Sequence, residues 1–323
     1  MSGNDAPRVL VGYAPDERGE DALALAALVA RTAGAPVTAA HVHPSPWPVR
    51  GPGKVDAEWV AYLEEQSEEI LALAAARLGE SGLPEREVAV RAHSHRGSGR
   101  GLIEVAGDVG AGLIVIGSAP RGRRGRIAIG STADQLLHGS PVPVLLAPRG
   151  FAAGAPGGVA AEAPAGLERM TVAYWRSRDA DEPLRAAAGF AARLGTPMRL
   201  VTLVLKPSGL AARFHGADGV LERQLARADE DLRHAAGLLG GGPPVERLTA
   251  VGTGVAKALA TVDMLPGEVL VCQSGRHGPV RKVFLGESSG KIVRAAPCPV
   301  LVLPRGAGAR TGALTGAPGR HTG

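Results

Sequence analysis

Leu113–Pro148 reads LIVIGSAPRGRRGRIAIGSTADQLLHGSPVPVLLAP, and Val269–Pro304 reads VLVCQSGRHGPVRKVFLGESSGKIVRAAPCPVLVLP. The two stretches align without gaps at an offset of 156, with Gly130/Gly286, Pro141/Pro297, Pro143/Pro299 and Pro148/Pro304 coincident. Nearer the N-terminus, RVLVGYAPDERGEDALALAALVARTAGAPVTAAHVHP from Arg8 aligns with RMTVAYWRSRDADEPLRAAAGFAARLGTPMRLVTLVL from Arg169 at an offset of 161. Val11/Val172, Tyr13/Tyr174, Leu23/Leu184, Gly34/Gly195 and Pro36/Pro197 match there. The matches keep the same order in both halves, so the chain is a tandem duplication. Its units are residues 1–148 and 169–304. Between them, residues 149–168 are rich in Ala, Gly and Pro and read as a flexible linker. The tail 305–323 has the same character and reads as disordered.

Within one repeat, short apolar runs alternate with helical patterns. Arg8–Tyr13, Val37–His43, Glu87–Ala92, Leu113–Gly117 and Val142–Ala147 read as strands. Glu20–Ala33 reads as a helix ended by Gly34 and Pro36, and Asp56–Leu78 as an amphipathic one. Gly101–Gly107 and Ser131–His138 are shorter helices. Strands alternating with helices imply an α/β fold, a parallel sheet covered on both faces and joined by right-handed crossovers. Ligands of such sheets sit outside the carboxyl ends of the strands, where strand order reverses.

The 323 residues are 45% hydrophobic, which excludes global disorder, and no apolar run is long enough to span a bilayer. The first residues, MSGNDAPRVL, lack a basic segment followed by an apolar one, so a cytoplasmic location is expected. Two cysteines, Cys272 and Cys298, cannot form a disulfide scaffold; they fall at opposite ends of neighbouring parallel strands and are not expected to pair. Residues 1–148 carry net −3 and residues 149–323 net +8. Thirty-one of the 36 basic residues are Arg, a bias of composition rather than a sign of nucleic-acid binding.

The fourth strand ends in Gly117-Ser118, and its loop runs to Gly130-Ser131-Thr132 at a helix start. Glycines let the backbone approach a phosphate, Ser131 is placed to cap the helix, and the helix start presents free N–H groups. A strand followed by G-x-x-G-x9-G-[ST], a helix and a P-V-x-V strand resembles the nucleotide-binding signature of the universal stress protein family, here in a tandem-domain form. The resemblance covers residues 8–148 and 169–304. It implies a flavodoxin- or Rossmann-like doubly wound sheet of order 3-2-1-4-5 in each repeat and pairing of two domains through their last strands. It also implies ATP or a related nucleotide at the fourth-strand loop, with no metal beyond an accompanying Mg2+. By this resemblance Gly117, Ser131 and Thr132 receive phosphates, with Ser118 and Gly130 in the same loop. Gly12 and Val42 flank adenine and ribose, and Ile116 lies beneath.

Two departures weaken the first site. Pro120, which has no N–H, stands at the second motif glycine, and Ala14 at the family's acidic position, with Asp16 two places on. In compensation, Arg121, Arg123, Arg124 and Arg126 are placed to clamp phosphates. In the second repeat Gln273, Arg276 and Glu287 replace the two glycines and the serine, and a carboxylate there repels phosphate. That repeat is not expected to bind ATP.

His41, His43, His93 and His95 end the second and third strands, which the implied order makes neighbours. The favoured reading is solvated or packed histidines; the alternative is a transition-metal site. The arginine loop lacks interleaved aromatics, which disfavours nucleic acid. No nucleophile elbow, H-E-x-x-H or P-loop lysine is present. The expected function is therefore a non-enzymatic, stress-associated regulatory protein whose first domain binds nucleotide. The second domain serves as pairing partner, a homodimer being a further arrangement. The alternative is an interaction protein of the same fold that binds no nucleotide; no protein partner can be named.

Overall fold

The structure, a computed structural model, describes residues 7–45, 54–154, 164–177, 180–206, 217–240, 245–274, 283 and 285–304. The tail 305–323, Arg276 and most of the Pro-rich loop after Pro44 lie outside the described residues. The first repeat runs β1 (Val9–Gly12), α1 (Glu17–Ala33), β2 (Val37–His43), α2 (Lys54–Glu80), β3 (Val88–Ser94), α3 (Ser98–Asp108), β4 (Leu113–Gly117), α4 (Ser131–Leu137) and β5 (Val144–Ala147). The second runs β6 (Arg169–Ala173), α5 (Asp181–Arg193), β7 (Met198–Leu205), α6 (Ala217–Leu238), β8 (Glu246–Gly252), α7 (Val255–Leu259), β9 (Glu268–Gln273), α8 (Glu287–Ala295) and β10 (Val300–Leu303).

Local chemistry explains the central elements. β4 is Leu-Ile-Val-Ile, buried on both faces as a crossover strand must be. α1 is Ala- and Leu-rich and opens on Asp16, whose carboxylate accepts from the Arg18 and Gly19 N–H groups. It closes on Gly34, which sits at φ 60°, a left-handed backbone that glycine adopts without penalty.

The strands form one ten-stranded sheet in the order β3-β2-β1-β4-β5-β10-β9-β6-β7-β8. Each repeat contributes 3-2-1-4-5, all parallel within itself. The two sheets expected from the sequence are therefore continuous. β5 and β10 join antiparallel, Val144 opposite Val302 and Leu146 opposite Val300. The seam is reinforced where Val283 N–H donates to Ser140 O and Leu285 N–H to Leu137 O. One apolar core holds α1, α2, α5 and α6 against one face of the sheet; a second holds α3, α4, α7 and α8 against the other. Because the seam is antiparallel, the carboxyl ends of the strands in the two halves point in opposite directions.

The expected flexible linker is built at both of its described ends. Asp21, only 1% exposed, accepts from Gly150 N–H at 2.8 Å and Ala152 N–H at 2.9 Å. Phe151 packs on the core between them, and Leu167 N–H donates to Thr32 Oγ1 eleven residues further along α1. Composition without periodicity concealed this, since the segment is held by backbone donors and one buried carboxylate rather than by an apolar stripe. Burial pushes the Asp21 carboxyl up despite those two donors.

Candidate functional site

A cleft with a cavity volume of about 140 Å3 opens at the carboxyl ends of β1, β2 and β4, where the order of the first repeat reverses. Ala40, Val42, Leu102 and Ile116 supply apolar walls, and Gly12 and Gly117 the floor. Arg18, His41, Ser98 and Thr132 bring polar groups to the rim. Of the residues expected from the sequence, Gly12, Val42, Ile116, Gly117 and Thr132 line this cleft together with His41.

Two glycines make the close packing behind the cleft. A Cβ at Gly117 would collide with the Arg18 carbonyl oxygen, and one at Gly19 with the Ala14 carbonyl oxygen. The first turn of α1 thus lies directly on the end of β4, with no side chain between. Tyr13 pins the same turn by donating its hydroxyl to Glu20 Oε1 at 3.0 Å. Burial, then the Glu20 carboxylate, pushes the Tyr13 phenol up to about 12, so it stays a neutral donor. His41 Nδ1 lies 3.0 Å from the Tyr13 carbonyl oxygen, which requires the Nδ1–H tautomer and leaves Nε2 as the acceptor.

Asp16 is not free for a ribose. One oxygen caps α1, and the other takes the Arg18 guanidinium at 2.5 and 2.9 Å. Burial raises its carboxyl, but Arg18 and the two N–H groups outweigh burial and hold it below the usual range. Replacing Asp16 by Ala is expected to lower stability by about 1 kcal/mol at neutral pH. A depressed carboxyl pKa stabilises above its unfolded value and is lost as pH falls through the folded one. The difference between wild type and variant in urea denaturation should therefore shrink on acidification; a constant difference would place the cost elsewhere.

The β4–α4 loop departs from the sequence reading at three points. Ser118 is buried, accepting from Ala128 N–H at 2.8 Å and donating to Ala119 O at 3.2 Å, so its hydroxyl staples the loop and faces no ligand. Gly130, not Ser131, is the N-cap of α4; Ser131 is the exposed first helical residue, and no side chain caps this end. The arginine clamp does not converge on the cleft, since none of the four lines it. Arg124 pairs with Glu17 at 3.1 Å and Arg126 donates to the neighbouring Gly125 carbonyl. Glu17 also takes Arg149 at 2.9 Å, and Arg149 N–H donates to Arg126 O. Linear sequence could not show that Glu17, 107 residues away, competes with phosphate for Arg124.

The four histidines do not gather either. β2 and β3 are neighbours, but the register places Val42 opposite His93 and His41 opposite Ala92. The two pairs therefore face opposite sides of the sheet. His93 bonds Glu104 of α3 at 2.7 Å, with His95 at 3.6 Å from the same carboxylate; His43 Nδ1 lies by Pro44 O. Among the described residues no group of three or more His, Cys, Asp or Glu is arranged to hold a metal.

Tyr13, Arg18, Gly19, Ser98 and Leu102 are cleft residues that the sequence reading missed. The signal existed for some of them: Gly97-Ser98-Gly99 opens α3 directly after β3, at the edge where ligands are sought.

In the second repeat the same ground is rebuilt. Gln273 occupies the position of Gly117, Ala173 that of Gly12 and Ala180 that of Gly19. α5 begins at Asp181, three residues later than the position matching Glu17. Gln273 carries a side chain where Gly117 has none against the first turn of α1. Among the described residues, the buried Gln273 Nε2 and Tyr174 hydroxyl have no hydrogen-bond partners. Glu287 opens α8 and pairs with Lys291 at 2.8 Å. Both cysteines are buried and free.

The profile of the universal stress protein family matches residues 6–148 and again 166–304. A universal stress protein of Mycobacterium tuberculosis and one of Mycobacterium bovis are each 35% identical over 305 residues, 92% of this chain and 99% of theirs. Among solved structures, a universal stress protein from Archaeoglobus fulgidus superposes with a TM-score of 0.55 at 20% identity, covering 93% of this chain and 97% of its own. A putative one from Pseudomonas aeruginosa gives 0.54 at 15% identity, covering 95% and 96%. Both share the fold.

Proposed function

The chain belongs to the universal stress protein family, and within it we propose that the first half binds ATP or a related nucleotide while the second half completes the shared sheet. The observation that carries this reading is the cleft at the β1–β4 switch point. It has apolar walls spaced by Ala40, Val42, Leu102 and Ile116 for a flat base, and a rim of Thr132, Ser98 and Arg18 for the sugar and phosphates. Thr132 and Ser98 lie in the first turns of α4 and α3; no side chain caps α4, while in α3 the Arg100 N–H is taken by Gln135 Oε1, which leaves the earlier N–H groups of that turn to face anionic oxygens. Any Mg2+ would arrive with the nucleotide.

The role is regulatory binding in the cytoplasm rather than turnover. His41 is the one imidazole lining the cleft, and its Nδ1 is taken by a carbonyl. No helix among those residues is long and apolar enough to cross a membrane. A second reading, an adaptor that binds no nucleotide, is favoured by Pro120 and by the internal use of Ser118 and Arg124.

The test is calorimetric titration of the full chain with ATP and AMP, beside a Ser98→Glu/Thr132→Glu variant. Both substitutions sit in first helical turns, where a carboxylate favours the helix, so the fold should hold. Binding should weaken at least tenfold through charge repulsion. Equal binding by both proteins would remove nucleotide from this cleft, and no binding by the wild type would leave the adaptor.

A further inference from the structure

On the outer side of the second half, Arg176, Arg223, Arg227 and Arg233 line one open groove of about 710 Å3 together with Glu230 and Asp231. Arg176 comes from the loop after β6, and the other three arginines from α6. The groove is thus built by two elements, not by the face of one helix. Its carboxylates are already engaged in part: Asp231 takes Arg176 at 3.6 Å, and Arg233 is neutralised by Asp229 at 2.6 Å. Arg223 and Arg227 have no carboxylate or other hydrogen-bond partner among the described residues. They are four apart on α6, which sets their side chains as neighbours about 6 Å apart at their bases.

Two residues before Arg176 lies a second irregularity. Tyr174 is completely buried, and its hydroxyl has no hydrogen-bond partner among the described residues. Burial first, then the charges of Asp181 and Asp231, raise its phenol, while Arg176 acts in the opposite sense. The two residues that form the loose 3.6 Å pair at the groove therefore both act on this hydroxyl. An orphaned buried hydroxyl is costly. In the first half the matching Tyr13 donates its hydroxyl to Glu20.

We infer that this groove is a second ligand site, taking a small anion with two or more phosphoryl groups. Planar guanidinium forks match phosphoryl oxygens two at a time, and a pair one helical turn apart matches neighbouring phosphoryl groups. An anion on Arg223 and Arg227 also draws Arg176 off Asp231. That frees the Asp231 carboxylate as an acceptor towards the Tyr174 side. The site is separate from the cleft of the first half, since it lies on the far half of the sheet, on the α6 side. It stands whether or not that cleft binds nucleotide.

The probe is inorganic tripolyphosphate, titrated into the full chain at fixed ionic strength and followed by calorimetry and by the fluorescence of the half-exposed Trp175 beside Arg176. Arg223→Gln/Arg227→Gln should weaken binding at least tenfold, and wild-type binding should weaken steeply with salt. The exposed arginines make no intramolecular pair, so the variant should fold as the wild type does. Ser98→Glu/Thr132→Glu should still bind tripolyphosphate through the groove and keep the Trp175 response that Arg223→Gln/Arg227→Gln loses. ATP titrated into that variant then distinguishes a nucleoside polyphosphate, which binds in the groove, from an inorganic one, which alone does so. Equal affinity in the Arg223/Arg227 variant, or loss only in the Ser98/Thr132 variant, would overturn the site, as would no binding by the wild type.

Discussion

Glu268→Ala is expected to cost about 3 kcal/mol of stability, because it removes the buried counter-charge that Arg169 and Arg199 share and leaves both with the half-exposed Glu246 alone. Glu268 begins β9 and is fully buried. Its Oε1 accepts from the Thr171 hydroxyl and from Arg199 Nη2 at 2.6 Å. Its Oε2 accepts from Arg169 Nη2 at 2.8 Å and from Leu265 N–H at 2.9 Å. Arg199 is 3% exposed and further donates to Thr171 Oγ1 and the Asp263 carbonyl. Every lone pair of the carboxylate is therefore used, and removing it leaves the buried Arg199 guanidinium with only the half-exposed Glu246, 3.7 Å away, as counter-charge. The midpoint of urea denaturation should fall well below that of wild type, with the slope little changed.

The first half shows that the fold does not need this network. Leu10, Thr38 and Gly112 stand where Thr171, Arg199 and Glu268 stand in the second. Replacing the buried pair together, Arg199→Leu with Glu268→Leu, should therefore recover most of what Glu268→Ala loses, since apolar groups of similar volume need no partner. A double variant as unstable as the single one would mean that the network sets the strand ends rather than merely satisfying itself.

This contrast also shows what the linear chain discloses. The duplication and the glycine loop at Gly117 are local features, runs of apolar residues and glycines at fixed spacing, whereas the strand order and the place of Gly12 were implied by the family resemblance. The arginine clamp, the cap at Ser131 and the histidine cluster depended on partners distant in sequence or on register. Arg124 points to Glu17 because α1 starts beside the loop, and one residue of register sends His93 to the face opposite His41. Ser118 looked like a ligand residue because it is small, polar and next to a motif glycine. Its burial between Ala119 and Ala128 turned the hydroxyl inward. The groove of Arg223 and Arg227 gave no linear sign, since its third arm, Arg176, lies 47 residues before Arg223.

The second large effect is expected at Gly117. Gly117→Val should destabilise the chain by about 2–4 kcal/mol and abolish the first half's cleft, as backbone must move where Cβ meets the Arg18 carbonyl oxygen. The second half offers a parallel. With Gln273 at the matching position, the helix after the first strand of the repeat begins three residues late, at Asp181. In the variant the first turn of α1 should peel off likewise, releasing the Asp16 cap and the Glu17 pairs to Arg124 and Arg149. Hydrogen exchange at Arg18–Asp21 should accelerate while β4 stays protected. Because the collision is with the Cβ itself and the obstacle is main chain rather than a flexible side chain, Gly117→Ala should lose most of what Gly117→Val loses. A harmless alanine with a damaging valine would show that the cleft tolerates a Cβ and fails only on bulk. The late start of α5 would then need a cause other than Gln273.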